Sequence, residues 1–379
     1  MKKNSPQNTI VGILGGGQLG RMLLQSASDW NLKIKVLGPD PEPCKNLAYE
    51  FVQGDFTDYE TVYQFGKTVD ILTIEIENVN VPALEKLQKE GVKVYPQPEV
   101  IKTIQDKGLQ KLFYQKNDIP TGKFQLMKSK TDVQKYEGPF PVVQKLRTAG
   151  YDGRGVMILK SKKELKNAFN EPSLLEEFVK MQKEIAIMVA RSSTGEIKTY
   201  PAVEMQFHSG ANLVDFLIAP AKISPQIEAK AQKIATKVAQ TLKIVGLLAV
   251  EMFVTKEGKI LVNECAPRPH NSGHHTIEAN ITSQFEQHLR AILGLPLGET
   301  ATKIPAIMVN LIGEKGYSGE AKYQGLEKVL ALKGASVHLY GKKMTKPFRK
   351  MGHVTIVDKD PKQALKKAQL VKKTLKIIA

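Results

Sequence analysis

The chain has 379 residues, 42% of them hydrophobic, and carries 55 Lys and Arg against 38 Asp and Glu for a formal charge of +17. That length exceeds one ordinary core and predicts two or three domains. No run approaches the ~20 uninterrupted apolar residues of a membrane span, the start MKKNSPQNTIVGILGGG has no long apolar segment before a cleavage site, and Cys44 and Cys265 belong to no CxxC pair; a cytoplasmic protein without membrane contact is expected.

Along the first hundred residues strand-like and helix-like patterns alternate. Residues 9–14 form an apolar run, 18–28 are helical in period, and 33–37 and 71–76 are further strands, which together predict a parallel α/β sheet. The first strand enters Gly15-Gly16-Gly17-Gln18-Leu19-Gly20, a GxGxxG arrangement opening a helix, with Asp40 twenty residues on. On paper this is a dinucleotide fingerprint. By themselves the glycines require only that amides at a helix amino terminus approach an anion, and a mononucleotide phosphate or a carboxylate suits them equally. The stretch Val94-Tyr95-Pro96-Gln97-Pro98 interrupts the alternation and sets a first boundary after residue 97.

From 98 to 296 helices mix with antiparallel strands. A strand delivers Lys145 into Arg147-Thr148-Ala149-Gly150-Tyr151-Asp152-Gly153-Arg154-Gly155, a loop whose backbone donors, with Lys145 and an arginine, suit phosphates. It is not a Walker sequence, since GxxxxGK[ST] is absent. Further on, Glu176-Glu177-Phe178-Val179 and then Glu184 follow apolar strands, a placement in which acids can accept from an adenine amine or ribose hydroxyls. Residues 226–242 form a helix with Ile227, Ala231, Ile234, Val238 and Leu242 on one face.

That helix leads into LLAVEMFVTKEGKILVNECAPRPHNSGHH. A two- or four-residue turn centred on Glu257 and Gly258 sets Glu251 directly opposite Glu264, at a spacing where like charges repel. A divalent cation between them is the simplest remedy, and Mg2+ takes one or two carboxylates with phosphates and water. The histidines after Arg268 have the wrong spacing for a closed zinc site. Residues 279–293 are expected to be helical, ended by Gly294 and Pro296. Residues 304–312, 337–340 and 353–357 read as strands of a small third unit, 297–379, closed by a helix over 361–378 with Asp360 as cap. The lysines, dense at 342–343, 366–367 and 372–373, read as a solvated surface or a match to polyanionic substrates. No aromatic platform accompanies them, so nucleic acid is not an expected partner.

In this order LGGGQLGRM, the DKxxxK of Asp106 to Lys111, TAGYDGRG, LEEFV, AVEMF and NECAPRPHNSGHHT resemble the 5-(carboxyamino)imidazole ribonucleotide synthases, ATP-grasp ligases of purine biosynthesis. The likeness runs along nearly the whole chain and includes an RKxGH element at Arg349 to His353. It implies an α/β and α+β architecture: a Rossmann-like pre-ATP-grasp domain over 1–97, an ATP-grasp domain over 98–296 and a small β-rich domain over 297–379. It also implies ATP and Mg2+ as cofactors, 5-aminoimidazole ribonucleotide and bicarbonate as substrates, and a homodimer.

The residue roles that the resemblance implies are these. Lys107 and Lys145 contact ATP, Gly150 to Gly155 form the phosphate loop, Glu176 to Val179 form the adenine linker, Glu184 meets the ribose, and Asn263 stands at the nucleotide. Glu251 and Glu264 hold Mg2+. Tyr151, Asp152, Arg154, His270 and Asn271 line the carboxylation site, while Gln18, Leu19, Lys343, Arg349 and Lys350 hold the ribonucleotide, displacing the dinucleotide reading of the glycine loop. Lys107 stands where an arginine is frequent in the family, and His208, in EMQFHSGAN, where a nucleotide-side histidine is expected.

Overall fold

A computed structural model describes residues 8–39, 43–148, 150, 155–207 and 213–379. The amino-terminal unit is a five-stranded sheet ordered Glu50–Gln53, Lys33–Gly38, Ile10–Leu14, Ile71–Ile74, Lys93–Val94, parallel throughout. Parallel strands need crossover connections and are covered on both faces. One face packs Leu14, Leu37, Leu72 and Ile74 under Leu84 and Leu87 of the helix Val81–Lys89. The other packs Val11, Ile13, Ile34 and Val36 under Leu19 and Leu23, together with Phe285, Leu289 and Tyr340 from far along the chain. This shared core fixes the first unit against the rest.

The helix Pro98–Gln105 straddles the first boundary: Ile101 packs into the amino-terminal core, whereas Val100 and Ile104 join the next one. Beyond it lies a four-stranded antiparallel sheet, ordered Phe124–Met127, Ser173–Glu177, Val142–Leu146, Val156–Leu159. A larger sheet follows. It has nine strands and includes Met181–Arg191, Gly246–Thr255 and Ile260–Ala266. The helix Pro225–Leu242 buries Ala231, Ala235, Val238 and Leu242 against it.

Three expectations change in detail. The large sheet does not stop at residue 296, because Phe216 to Ala219 pair with Ala306 to Val309, and that strand pairs with Lys350–Val357; the last third of the chain extends one sheet. The helix expected over 279–293 is Gln284–Leu293, preceded by a separate turn Thr276–Ala279. Its start is set by Ser283, whose hydroxyl accepts from the N–H of Glu286 at 3.1 Å, a cap that satisfies an otherwise orphaned donor. The closing helix is Pro361–Thr374, and the residues after it form the strand Lys376–Ile378, paired with Lys322–Gln324.

Candidate active site

Glu251 and Glu264 are Cα partners on adjacent strands, as the sequence predicts, but by a compound route. The turn has three residues, Lys256 to Gly258, with Thr255 donating to the Lys259 carbonyl at 2.9 Å and Gly258 at φ +74°, where glycine is favoured. Alone this turn would set Asn263 opposite Glu251. A bulge between Glu251 and Met252 inserts Asn263 as the extra residue and restores Glu264 to that place. Bulge and turn together aim both acids and Asn263 at one region.

A third acid joins them. Ala186 pairs with Glu251, so Glu184, two residues away on the strand Met181–Arg191, shares its face. Burial, then the charges of Glu264 and Glu184, hold the Glu251 carboxyl well above its ordinary range. Burial and Glu264 likewise push Glu184 up to about 7, against the pull of Lys145. Glu264 goes the other way, down to about 2, because Lys107 donates to its Oε2. Burial opposes the charge on Lys107, yet Glu264, Glu251 and Glu77 raise its pKa overall. Burial and mutual repulsion thus raise Glu251 and Glu184, while Lys107 favours the ionised form of Glu264. The pair Glu251 and Glu264 offers oxygen donors only, and among the described residues no group of three or more His, Cys, Asp or Glu is placed to hold a metal ion. That set fits Mg2+, which takes one or two carboxylates and leaves the remaining positions to phosphate and water.

Beside the acids stands a buried ion triad. Lys145 Nζ lies 2.7 Å from Glu176 Oε2 and donates to Asn263 Oδ1 at 2.8 Å. Lys111 donates to Glu176 Oε1, to Thr121 Oγ1 at 2.6 Å and to the Val262 carbonyl. Burial pulls Lys111 down to about 8 against the attraction of Glu176, whereas the two lysines outweigh burial at Glu176 and keep it ionised. The carboxylate of Glu176 is thus directed at lysines. Beside it, Glu177 and Phe178 are exposed and Val179 is half-buried. Arg147 is likewise engaged, clamping Asp106 through Nε to Oδ1 at 2.9 Å and Nη2 to Oδ2 at 2.6 Å. Asp106 in turn caps the helix Lys107–Lys116 by accepting from the N–H groups of Gly108 and Leu109. Gly155 has φ +74°, and its carbonyl accepts from the Leu146 N–H at 2.8 Å. Tyr151, Asp152, Gly153, Arg154 and His208, with Asp40 of the fingerprint, lie outside the described residues.

In the glycine loop, the acceptor at the helix amino terminus is the protein's own. Glu75 accepts from the N–H of Gly17 at 3.1 Å and of Gly20 at 3.2 Å. A Cβ on Gly15 would sit 2.6 Å from its Oε1 and one on Gly17 2.8 Å. The close approach that the glycines permit serves this carboxylate, at the place where a dinucleotide pyrophosphate would bind. Gln18 is half-buried, and the Leu19 side chain is in the core, which leaves only its backbone for a ligand. Burial raises the Glu75 carboxyl above its ordinary range against the pull of Arg268 and Lys342, and Lys350 pulls Glu251 down. Lys343 is exposed; Arg349 and Lys350 are half-buried, with Arg349 Nη1 donating to the Met344 carbonyl at 2.6 Å. Charges of the basic segment 342–350 thus act both on Glu75, beside the glycine loop, and on Glu251 in the acid cluster.

His270 and Asn271 enter on a loop held from outside. The Gln284 amide accepts from the His270 N–H at 2.8 Å and donates to the His270 carbonyl at 2.8 Å. The His270 Nδ1 lies 2.8 Å from Ser272 Oγ and 3.6 Å from Glu251 Oε1. Asn271 pairs with Asn310. Sequence reasoning missed Glu75, Gln284 and Asn310. For Gln284 a signal existed, since Ser283 and Glu286 form an S-x-x-E start that sets this residue at the first turn of its helix.

Three family models divide the chain: a ribonucleotide synthetase preATP-grasp domain over residues 8–105, an ATP-grasp domain over 112–285, and a phosphoribosylaminoimidazole carboxylase C-terminal domain over 306–367. The chloroplastic phosphoribosylaminoimidazole carboxylase of Vigna aconitifolia is 41% identical over 92% of this chain, which spans 64% of that relative's length. The crystal structure of N5-carboxyaminoimidazole ribonucleotide synthetase from Thermotoga maritima is 48% identical, with a TM-score of 0.90 over 98% of this chain and 99% of that one. An Aspergillus clavatus N5-carboxyaminoimidazole synthase, solved with ADP and 5-aminoimidazole ribonucleotide, is 34% identical with a TM-score of 0.90 over 97% and 99% of the two chains. With the acid pair, its lysines and the basic segment in this arrangement, the chain belongs to the N5-carboxyaminoimidazole ribonucleotide synthase family of ATP-grasp ligases.

Proposed function

We propose that this protein carboxylates 5-aminoimidazole ribonucleotide. A bicarbonate oxygen attacks the γ-phosphorus of ATP, the bond to ADP breaks, and carboxyphosphate forms; the exocyclic amine then attacks the carboxyl carbon, phosphate leaves, and the amine gives up a proton. The observation that carries this reading is the opposed pair Glu251 and Glu264, with Lys107 on Glu264 and Lys145 on the neighbouring Asn263.

Phosphoryl transfer is catalysed chiefly by positioning and charge neutralisation. Glu251 and Glu264 are the residues that would hold Mg2+, whose chemistry there is neutralisation of the phosphate oxygens. Lys107 and Lys145 add charge to the phosphates, and Asn263 stands beside Lys145. Phe178 and Val179 receive the adenine, and Glu184 the ribose. Gln18, the Leu19 backbone, Lys343, Arg349 and Lys350 hold the ribonucleotide. Tyr151, Asp152, Arg154, His270 and Asn271 enclose the carboxyl transfer, with the loop 148–155 excluding water from a short-lived intermediate. His270 and Asp152 are the two candidates to take the amine's proton. A cytoplasmic homodimer is the expected assembly, which light scattering of the purified protein tests.

The decisive assay is phosphate release from ATP in bicarbonate buffer, with and without 5-aminoimidazole ribonucleotide. Release that depends on the ribonucleotide supports the reading. Release indifferent to it, or stimulated only by another acceptor, rejects it.

A further inference from the structure

Asn271 is not oriented by its own loop. Its carboxamide faces that of Asn310, on the strand Ala306–Ile312: Asn271 Nδ2 donates to Asn310 Oδ1 at 2.9 Å, and Asn310 Nδ2 donates to Asn271 Oδ1 at 3.0 Å. A reciprocal amide pair is degenerate, since turning both groups over restores both bonds. A third bond removes the degeneracy. Asn310 Nδ2 also donates to the Val214 carbonyl at 2.8 Å, and a flip would set two acceptor oxygens against each other. Asn310 is only 6% exposed, so water does not relieve that conflict. The strand beneath is held on both sides, by Phe216 to Ala219 and by Lys350–Val357, where Asn310 itself pairs with His353.

Resting on the functional reading above, we propose that Asn310 is a positioning residue for the carboxyl transfer: anchored by the Val214 carbonyl, it dictates which end of the Asn271 amide is donor and which is acceptor. Asn271 keeps one N–H and one oxygen lone pair beyond this pairing. A donor aimed at the carboxyl group stabilises the oxygen charge that develops as the amine attacks, whereas an acceptor in the same place repels it. The last third of the chain thereby takes part in the chemistry through the continuous sheet, in addition to lending its basic segment to the ribonucleotide.

The test is a double-mutant cycle on carboxylation with Asn271→Ala, Asn310→Leu and the pair, since coupled residues are not additive. Asn310→Leu is expected to lower kcat/KM for the ribonucleotide about tenfold or more while the KM for ATP stays within about twofold; added to Asn271→Ala, it changes kcat/KM by less than about twofold. Asn310→Ser, too short to reach Asn271, carries the same arms if the leucine variant does not fold. Additive losses, equal rises in both KM values, or wild-type kinetics in a folded Asn310 variant overturn the proposal. Wild-type protein inactive toward the ribonucleotide overturns the functional reading instead.

Discussion

Replacing Gly273 by alanine tests whether Gln284 fixes the loop that carries His270. A Cβ at Gly273 would lie 2.4 Å from Gln284 Oε1 and 2.6 Å from its Cδ, whereas such atoms settle near 3.5 Å, so the amide must retreat by roughly 1 Å. Gln284 is fully buried and has nowhere to yield without releasing its bonds to the His270 N–H and carbonyl, both 2.8 Å. Overpacking costs about 1–3 kcal/mol and each buried group left unpaired about 1–3 kcal/mol; a net loss of about 3 kcal/mol is expected. A shift of about 1 Å in His270 is expected to lower kcat on the order of a hundredfold. Urea unfolding and steady-state carboxylation read the two effects. Adding Gly273→Ala to Gln284→Ala should cost almost nothing further, because the clash is gone. A Gly273→Ala protein with wild-type midpoint and turnover, or a double variant much less stable than Gln284→Ala, refutes the reasoning.

Lys111→Met leaves buried Glu176 with Lys145 alone; the expected loss is about 3 kcal/mol of stability, with a raised KM for ATP because Glu176 then holds Lys145 more tightly, and an unchanged urea midpoint would contradict this. His288 accepts the Leu247 N–H at Nδ1 and so donates from Nε2 to Thr73 at 2.9 Å, and burial pulls it from 6.5 to about 3. Its contribution to stability is complete above 6.5 and is lost as pH falls toward 3, at about 1.4 kcal/mol per unit. Between pH 6.5 and 5 the unfolding free energy should drop, and His288→Gln should remove about one proton from that slope; an unaltered slope speaks against it. Arg349→Ala should raise the KM for the ribonucleotide. If only the KM for ATP moved, the phosphate of the ribonucleotide would be misplaced.

What the sequence disclosed depended on how local the cause was. The alternation of the first hundred residues and the acids of the hairpin are local patterns, and both appear in the fold; even so, the Glu251–Glu264 register came out right because an odd turn and a bulge at Asn263 cancel, which periodicity does not encode. The glycine loop announced an acceptor for its amides but not its identity, since Glu75, just past the strand Ile71–Ile74, lies more than fifty residues on. Gln284 and Asn310 were silent for the same reason: each acts on the 270–275 loop across a tertiary contact. Chain order also hid the continuity of the large sheet, because nothing in the run 304–312 says which strand it will pair with.

The central claim is that Glu251 and Glu264 jointly grip magnesium beneath the phosphates of ATP. Its most direct test is Glu264→Gln, assayed for ribonucleotide-dependent phosphate release and, separately, for ribonucleotide binding. The account predicts turnover reduced about a thousandfold with ribonucleotide affinity within about threefold of wild type. Near-normal turnover in that variant would contradict it.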